Sequence, residues 1–167
     1  MFQRKSLLRQ FAGLAGLVLI FLTIVVVSSW LYATTVLRFA EKAGVYASAE
    51  DGMRALITRG YVNPDDSQII YAGTNSFDGS DPHVWYVIAC VWGGHRVDGA
   101  ATGAGGRHGY DQPGTFFLET KKGWVWISEG TFPVYLGFWM NVFGMAGPGS
   151  PVPSTDWGST PDKGCKF

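Results

Sequence analysis

The side chains most able to do chemistry in this chain are three histidines, each with an aspartate within three positions. They are His83, His95 and His108, and they stand twelve and thirteen residues apart. Zinc sites draw on closer pairs, such as two histidines on one helix turn or a Cys-x-x-Cys pair. The spacing therefore indicates surface or turn residues and predicts neither a metal site nor a cofactor.

Two further patterns point away from ion binding and catalysis. Residues 78–82 are rich in aspartate, but they lack the alternating ligands and the final glutamate of a calcium-binding hand. The candidate nucleophiles Ser76, Ser128 and Cys90 do not lie in the strand–turn–helix elbow that exposes a catalytic serine. We therefore expect a plain turn at 78–82, no catalytic residue and a protein that is not an enzyme.

A glycine-rich stretch at 96–113 is the most unusual segment of the chain. Phosphate-binding glycine loops lead from a strand into a helix, whose amides then face the anion. This stretch leads into another predicted strand, so we exclude a phosphate loop. The remaining interpretations are a mobile hairpin loop and a loop that docks on a partner, with Arg107, His108 and Tyr110 as candidate contacts.

The chain has two cysteines, Cys90 and Cys165. A disulfide between them would close a loop of about 75 residues and stabilise the fold by roughly 4 kcal/mol on the chain-entropy model. The alternative is a buried apolar thiol at Cys90 and an exposed free thiol at Cys165. Sequence alone leaves both open, because it does not show geometry.

Residues 10–37 carry no charge and are bracketed by Arg9 and Arg38. About 20 apolar residues cross a hydrocarbon core of roughly 30 Å, so this stretch predicts one transmembrane helix. A cleaved signal has an apolar core of only about 7–15 residues and ends in a small-x-small site, which is not found near Ala33. The basic residues among 1–9 predict a cytoplasmic N-terminus and a single-pass protein of the plasma membrane.

Residues 39–167 hold nine basic and all thirteen acidic residues, which gives them a net charge of −4. Nucleic-acid binding needs a basic face, so we expect no nucleic-acid partner. The expected partners are the lipid bilayer and another integral membrane protein. The many aromatic residues of this part supply both core and interface material.

Beyond a connector at 38–47, the pattern predicts an extracytoplasmic α+β domain over 48–145. Ser48 caps a helix over 49–59, with Gly60 as its C′ residue. A meander of about four antiparallel strands follows, and the strand at 84–92 is apolar on both faces and is therefore central. A hairpin turns at 121–123. This order is similar to that of cystatin-like folds, in which a sheet wraps a helix, as a likeness of architecture alone.

A C-terminal apolar helix is predicted over 133–145, and residues 146–167 form an extended tail rich in Gly, Pro and Ser. The helix is too short to span a membrane and apolar nearly all round, so it must be covered. Its cover is the domain core, the lipid headgroup layer or a partner protein. Candidate partner contacts within it are Tyr135, Phe138, Trp139, Met140 and Phe143.

These features favour a non-enzymatic accessory or interaction subunit, anchored by one helix beside a larger membrane complex. The first alternative is a membrane-tethered ligand-binding module whose sheet lines a pocket. An anchored hydrolase or metalloenzyme is a third hypothesis, and it lacks a motif to support it.

Overall fold

The computed structural model describes residues 2–74, 82–92, 96–97, 110–127, 133–149 and Cys165, with backbone only for 2–12 and 133–134. The chain divides into two compact units, Met1–Val36 and Leu37–Phe167. We call the second unit the C-terminal domain. The predicted α+β class is confirmed: an N-terminal apolar helix precedes an antiparallel sheet.

The first helix, α1, runs from Phe2 to Ala43. Its segment Gly13–Ala43 is long and apolar enough to cross a membrane, and it is the one such helix in the described part of the chain. Hydroxyl side chains within it donate to carbonyls one turn back, for example Thr23 to Leu19 and Ser28 to Ile24, each at 2.8 Å. These bonds satisfy the hydroxyls inside the helix itself, as an apolar environment requires.

The second helix, α2, spans Ala49–Gly60 and begins as the sequence predicts. Ser48 has an extended backbone, and its hydroxyl accepts the Asp51 amide at 3.0 Å. The helix ends one residue later than predicted. Gly60 is still helical, and Tyr61 is the cap whose amide donates to the Ile57 carbonyl.

In the described part of the chain six strands form one antiparallel sheet, where the sequence predicts about four: β1 (Val45–Tyr46), β2 (Ser67–Thr74), β3 (Val84–Trp92), β4 (Tyr110–Asp111), β5 (Gly114–Thr120) and β6 (Gly123–Ile127). Their order is β1-β6-β5-β3-β2, and β4 pairs with β3 beyond the end of β5. The central place of β3 and the turn between β5 and β6 match the sequence prediction. The two extra strands have two residues each, too few to show periodicity.

Strands β4 and β5 continue one another along β3 in a single register. Trp92 pairs with Tyr110 in β4, and Val84 pairs with Leu118 in β5. Between them the Ala89 amide donates to the Pro113 carbonyl at 3.0 Å. Proline has no amide to return a bond, so the strand is interrupted at Pro113.

The core lies between α2 and one face of the sheet. It is built from apolar side chains of α2, its C-cap Tyr61, β3, β5 and β6 that are almost fully buried: Ala49, Met53, Ile57, Tyr61, Trp85, Val87, Ala89, Val91, Phe117 and Trp124. The alternate residues of the strands point away from this cluster, and Val84, Leu118 and Val125 among them are buried as well. Both faces of the sheet are therefore covered.

The third helix, α3 (Pro133–Val142), contacts β3 and β5. It ends in a Schellman motif, since the Gly144 amide donates to Asn141 and the Met145 amide donates to Met140. Gly144 has the positive φ of 63° that this motif needs. The chain then pairs Ala146 with Thr120, so the first residues of the predicted tail lie along the sheet. Most of the rest of that tail lies outside the described residues.

Candidate functional site

Helix α3 has two different apolar faces. Leu136, Gly137 and Met140 are buried, and Leu136 and Met140 are 0 % exposed. Their spacing of one and four residues places them on one side of the helix, facing the sheet. This side supplies the cover that the second face of the sheet requires.

The other side of α3 is exposed and carries no charge. Tyr135 is 67 % exposed, Phe138 is 56 % exposed and Val142 is 55 % exposed. With the half-buried Trp139 they follow a spacing of i, i+3, i+4 and i+7. This is the spacing of anchors with which one helix enters a groove or packs on another helix. We call these four residues the α3 outer face.

Aromatic rings of α3 and of the residue that follows it contact one another. The ring centroids of Phe138 and Trp139 are 5.3 Å apart, and those of Trp139 and Phe143 are 5.4 Å apart and nearly parallel. Aromatic pairs at such distances add roughly 0.5–1.5 kcal/mol beyond burial. Trp139 thus contacts an aromatic ring on either side of it in the chain direction, Phe138 in the helix and Phe143 just beyond its end.

Only some of the partner contacts predicted from the sequence lie on the α3 outer face. Met140, a predicted contact, is fully buried and serves the packing of the domain, because it lies on the inner side of α3. Tyr110 is half-buried in β4 opposite Trp92. Arg107 and His108 lie outside the described residues, as do His95 and most of the glycine-rich stretch.

A cleft of about 620 Å³ opens where the C-terminal end of α2 meets the bend at Pro113. Its walls are mainly apolar, and two arginines lie among them. The lining residues are Met53, Leu56, Ile57, Arg59, Gly60, Tyr61, Arg96, Pro113, Gly114, Thr115 and Trp126. Sequence reasoning missed this site, because its residues come from four separate segments and form no motif.

The cleft is held in shape by contacts between distant residues. The Tyr61 hydroxyl donates to the Asp111 carboxylate, which also accepts the Gln112 amide at 2.9 Å. Tyr61 also pairs with Arg96 in an isolated β-bridge. Elsewhere in the lining, the Trp126 indole N–H donates to the Thr115 hydroxyl at 2.8 Å. Hydrogen bonds between residues far apart in the sequence thus position several of the lining side chains.

Of the three histidines, the structure describes His83. Its Nδ1 lies 3.8 Å from a carboxylate oxygen of Glu119, and the two side chains are 10 % and 7 % exposed. The chain after α3 covers them, since the Gly147 amide donates to the Glu119 carbonyl at 3.1 Å. We interpret this buried pair as a packing contact of the domain.

The Cα atoms of Cys90 and Cys165 lie 5.8 Å apart, and the structure joins the two residues in a disulfide. The pair thus stands at disulfide distance, which the sequence left open. Among the described residues, no group of three or more His, Cys, Asp or Glu side chains is placed to hold a metal ion. The segment 78–81 and the serines Ser76 and Ser128 lie outside those residues.

No family model matches the chain, and neither the curated proteins nor the solved structures compared with it give a match.

Proposed function

We propose that this protein is a non-enzymatic accessory subunit, anchored in the plasma membrane by α1, whose C-terminal domain docks on another integral membrane protein through the α3 outer face. The observation that carries the proposal is the helix-docking spacing of Tyr135, Phe138, Trp139 and Val142, three of which are more than half exposed. Large exposed apolar patches on a folded domain are typical of interaction sites.

The energetics favour a covered α3 outer face. Covering the exposed parts of Tyr135 and Phe138 contributes roughly 2–3 kcal/mol each, at about 25 cal/mol per Å² of apolar surface. This gain is of the size that hot-spot aromatic residues give at protein interfaces. A protein partner suits the face better than lipid headgroups, because α3 has no basic residue in its sequence to hold an anionic membrane surface.

Two features support an extracytoplasmic place for the domain. The basic residues Arg4, Lys5 and Arg9 precede the apolar part of α1, which favours a cytoplasmic N-terminus. The Cys90–Cys165 pair stands at disulfide distance, and disulfides persist in oxidising compartments.

The test is quantitative co-purification of the tagged full-length chain from its native membrane in two mild detergents. The wild-type protein is expected to retain one integral membrane protein at the same stoichiometry in both. The variant Tyr135→Ser/Phe138→Ser/Val142→Ser is expected to retain at most a tenth as much of that partner. Each loss of 1.4 kcal/mol in binding free energy lowers the affinity about tenfold.

A matched control removes exposed apolar side chains elsewhere on the domain. Val62 and Val97 are 60 % and 65 % exposed and lie outside α3. The variant Val62→Ser/Val97→Ser is expected to retain the partner as the wild type does. A wild-type protein that migrates as a lone monomer, or equal retention by the α3 variant, would contradict the proposal.

A further inference from the structure

The sheet of the C-terminal domain has two edges of different length. Strand β1 forms one edge with two residues, Val45–Tyr46, whereas β2 forms the other with eight, Ser67–Thr74. Within the described part of the chain, β3 is the one strand that pairs with β2. An edge strand presents a row of unpaired amides and carbonyls on its outer side. The edge at β2 is therefore long enough to pair with a further strand.

The register shows which backbone groups of β2 point outward. In an antiparallel pair, successive residues alternate between bonding the facing strand and pointing to the other side. The Ala89 amide of β3 donates to the Pro113 carbonyl, and Val87, two residues earlier, also bonds toward β5. Ile69 pairs with Ala89. Ala72 pairs with Val87. The backbone groups of Ile69 and Ala72 therefore point away from β3, to the outer side of the sheet.

Strand β2 lacks the side chains with which folded domains usually block such an edge. Charged residues and prolines on an edge strand discourage pairing with another chain. Residues Ser67–Thr74 include neither. The strand has a bulge between Ile69 and Tyr71, but it pairs with β3 on both sides of that bulge. The Tyr71 hydroxyl donates to the Thr74 carbonyl at 2.8 Å, so the open stretch ends at Thr74.

The side chains around this edge indicate what kind of strand would pair with it. Ile69 and Ala72 pack against the core cluster and are half-buried, so part of their apolar surface is uncovered. Asp65 and Asp66 precede the strand and are exposed, and neither forms an ion pair within the described residues. An added strand would therefore place apolar side chains beside Ile69 and Ala72. Its end beside the two acids would be basic, because opposite charges favour the correct register.

We infer that β2 is a strand-addition site for an extended, largely uncharged segment of a partner protein, with a basic residue at the end beside Asp65 and Asp66. Main-chain hydrogen bonds hold such a strand, and the side chains that alternate along it give specificity. The site does not include α3, and it does not rest on the docking role proposed above.

Photocrosslinking of the full-length chain in its native membrane tests this inference. A photoreactive phenylalanine analogue replaces Gln68, an exposed residue of β2, and in a control chain it replaces Arg54, an exposed residue of α2. We expect a protein adduct at position 68 with a yield at least tenfold above that at position 54. Mass spectrometry is expected to place the cross-link in a segment of about five residues without an acid, next to Lys or Arg.

Two variants of Ala72 separate main-chain pairing from side-chain contact. Ala72→Pro removes the outward amide and places a ring in the path of the added strand, a change that edge strands tolerate. It is expected to lower the adduct yield at position 68 at least tenfold. Ala72→Ser is the matched control, because it keeps the amide and a small side chain. It is expected to change the yield less than twofold.

A surface variant keeps the test independent of folding. Asp65→Asn/Asp66→Asn changes exposed side chains, which cost little stability. It is expected to lower the adduct yield about threefold, the size of one exposed ion pair. The absence of a protein adduct at position 68, or a wild-type yield from either Ala72→Pro or the double asparagine variant, would overturn the inference. So would a cross-linked segment that belongs to the chain itself or to a second copy of it.

Discussion

Gly52 shows at the scale of one residue how closely α2 approaches the sheet. A Cβ atom built on Gly52 would lie 3.0 Å from Phe117 Cδ1 and 3.0 Å from Tyr46 Cδ2, and closer still to Phe117 Cε1. Phe117 is fully buried, so its ring has no free space to move into. The glycine is thus explained by packing, although it weakens the helix by about 1 kcal/mol relative to alanine.

Gly52→Ala is expected to destabilise the domain by about 1–2 kcal/mol. Overpacking costs typically 1–3 kcal/mol and exceeds the gain in helix propensity of up to about 1 kcal/mol. Gly60 is the control, because it lies in the same helix and a Cβ there would meet nothing within 4 Å. Gly60→Ala is expected to be neutral or slightly stabilising. Denaturant titration of the purified full-length protein measures both, and a stabilised Gly52→Ala variant would refute the packing argument.

At the same scale, the cleft shows what single-sequence patterns cannot reveal. Arg59 is visible from sequence as a basic residue in the last turn of α2, where it complements the helix dipole. Its proximity to Arg96 depends on the bridge between Tyr61 and Arg96 and on the bond from Tyr61 to Asp111, fifty positions away. Such contacts leave no local periodicity.

At the scale of the element, α3 divides its apolar residues between the domain and the solvent. Leu136 and Met140 are fully buried, whereas Phe138 is 56 % exposed. The hydrophobic pattern predicted a helix that must be covered, but it had no polar side to set the orientation. The orientation of α3 depends on its contacts with β3 and β5, which the pattern does not encode, and these contacts make Met140, a predicted partner contact, a core residue.

The two faces of α3 are expected to respond differently to truncation. Leu136→Ala or Met140→Ala should each lower the free energy of unfolding by about 2–5 kcal/mol, because a cavity replaces a fully buried side chain. Phe138→Ala should lower it by less than about 1 kcal/mol, since surface substitutions cost little. Thermal and denaturant unfolding of the full-length variants measure this. Equal losses for Phe138→Ala and Leu136→Ala would show that α3 has no free outer face.

The sheet was predictable where its signals are local. The strand Val84–Trp92 and the turn at Lys121 and Lys122 follow from alternation and turn chemistry over a few residues. Strand β1 was not predictable, because its two residues become a strand only by pairing Val45 with Val125. Strand β4 was not predictable either, because it has only two residues and Pro113 separates it from β5.

At the scale of the whole molecule, the Cys90–Cys165 pair ties the end of the chain to the central strand. The two residues are 75 positions apart. A cross-link over a loop of that length stabilises the folded state by about 4 kcal/mol on the chain-entropy model, because it restricts the unfolded chain. We expect Cys165→Ser, or reduction with dithiothreitol, to lower the free energy of unfolding by an amount of that order.

Alkylation and intact mass analysis of the full-length protein from native membranes accompany the unfolding measurement. The disulfide predicts no alkylated cysteine before reduction and two after it. Two alkylated cysteines without reductant would contradict both the disulfide and the extracytoplasmic place proposed for the domain.

Site-specific photocrosslinking in the native membrane tests whether the α3 outer face docks on a membrane protein. A photoreactive phenylalanine analogue replaces Phe138, and in a separate control it replaces the exposed Lys121 of the hairpin turn. We expect one protein adduct at position 138, with an integral membrane protein, and at most a trace of it at position 121. Adducts with lipid alone at position 138, or equal protein adducts at both positions, would contradict this docking role.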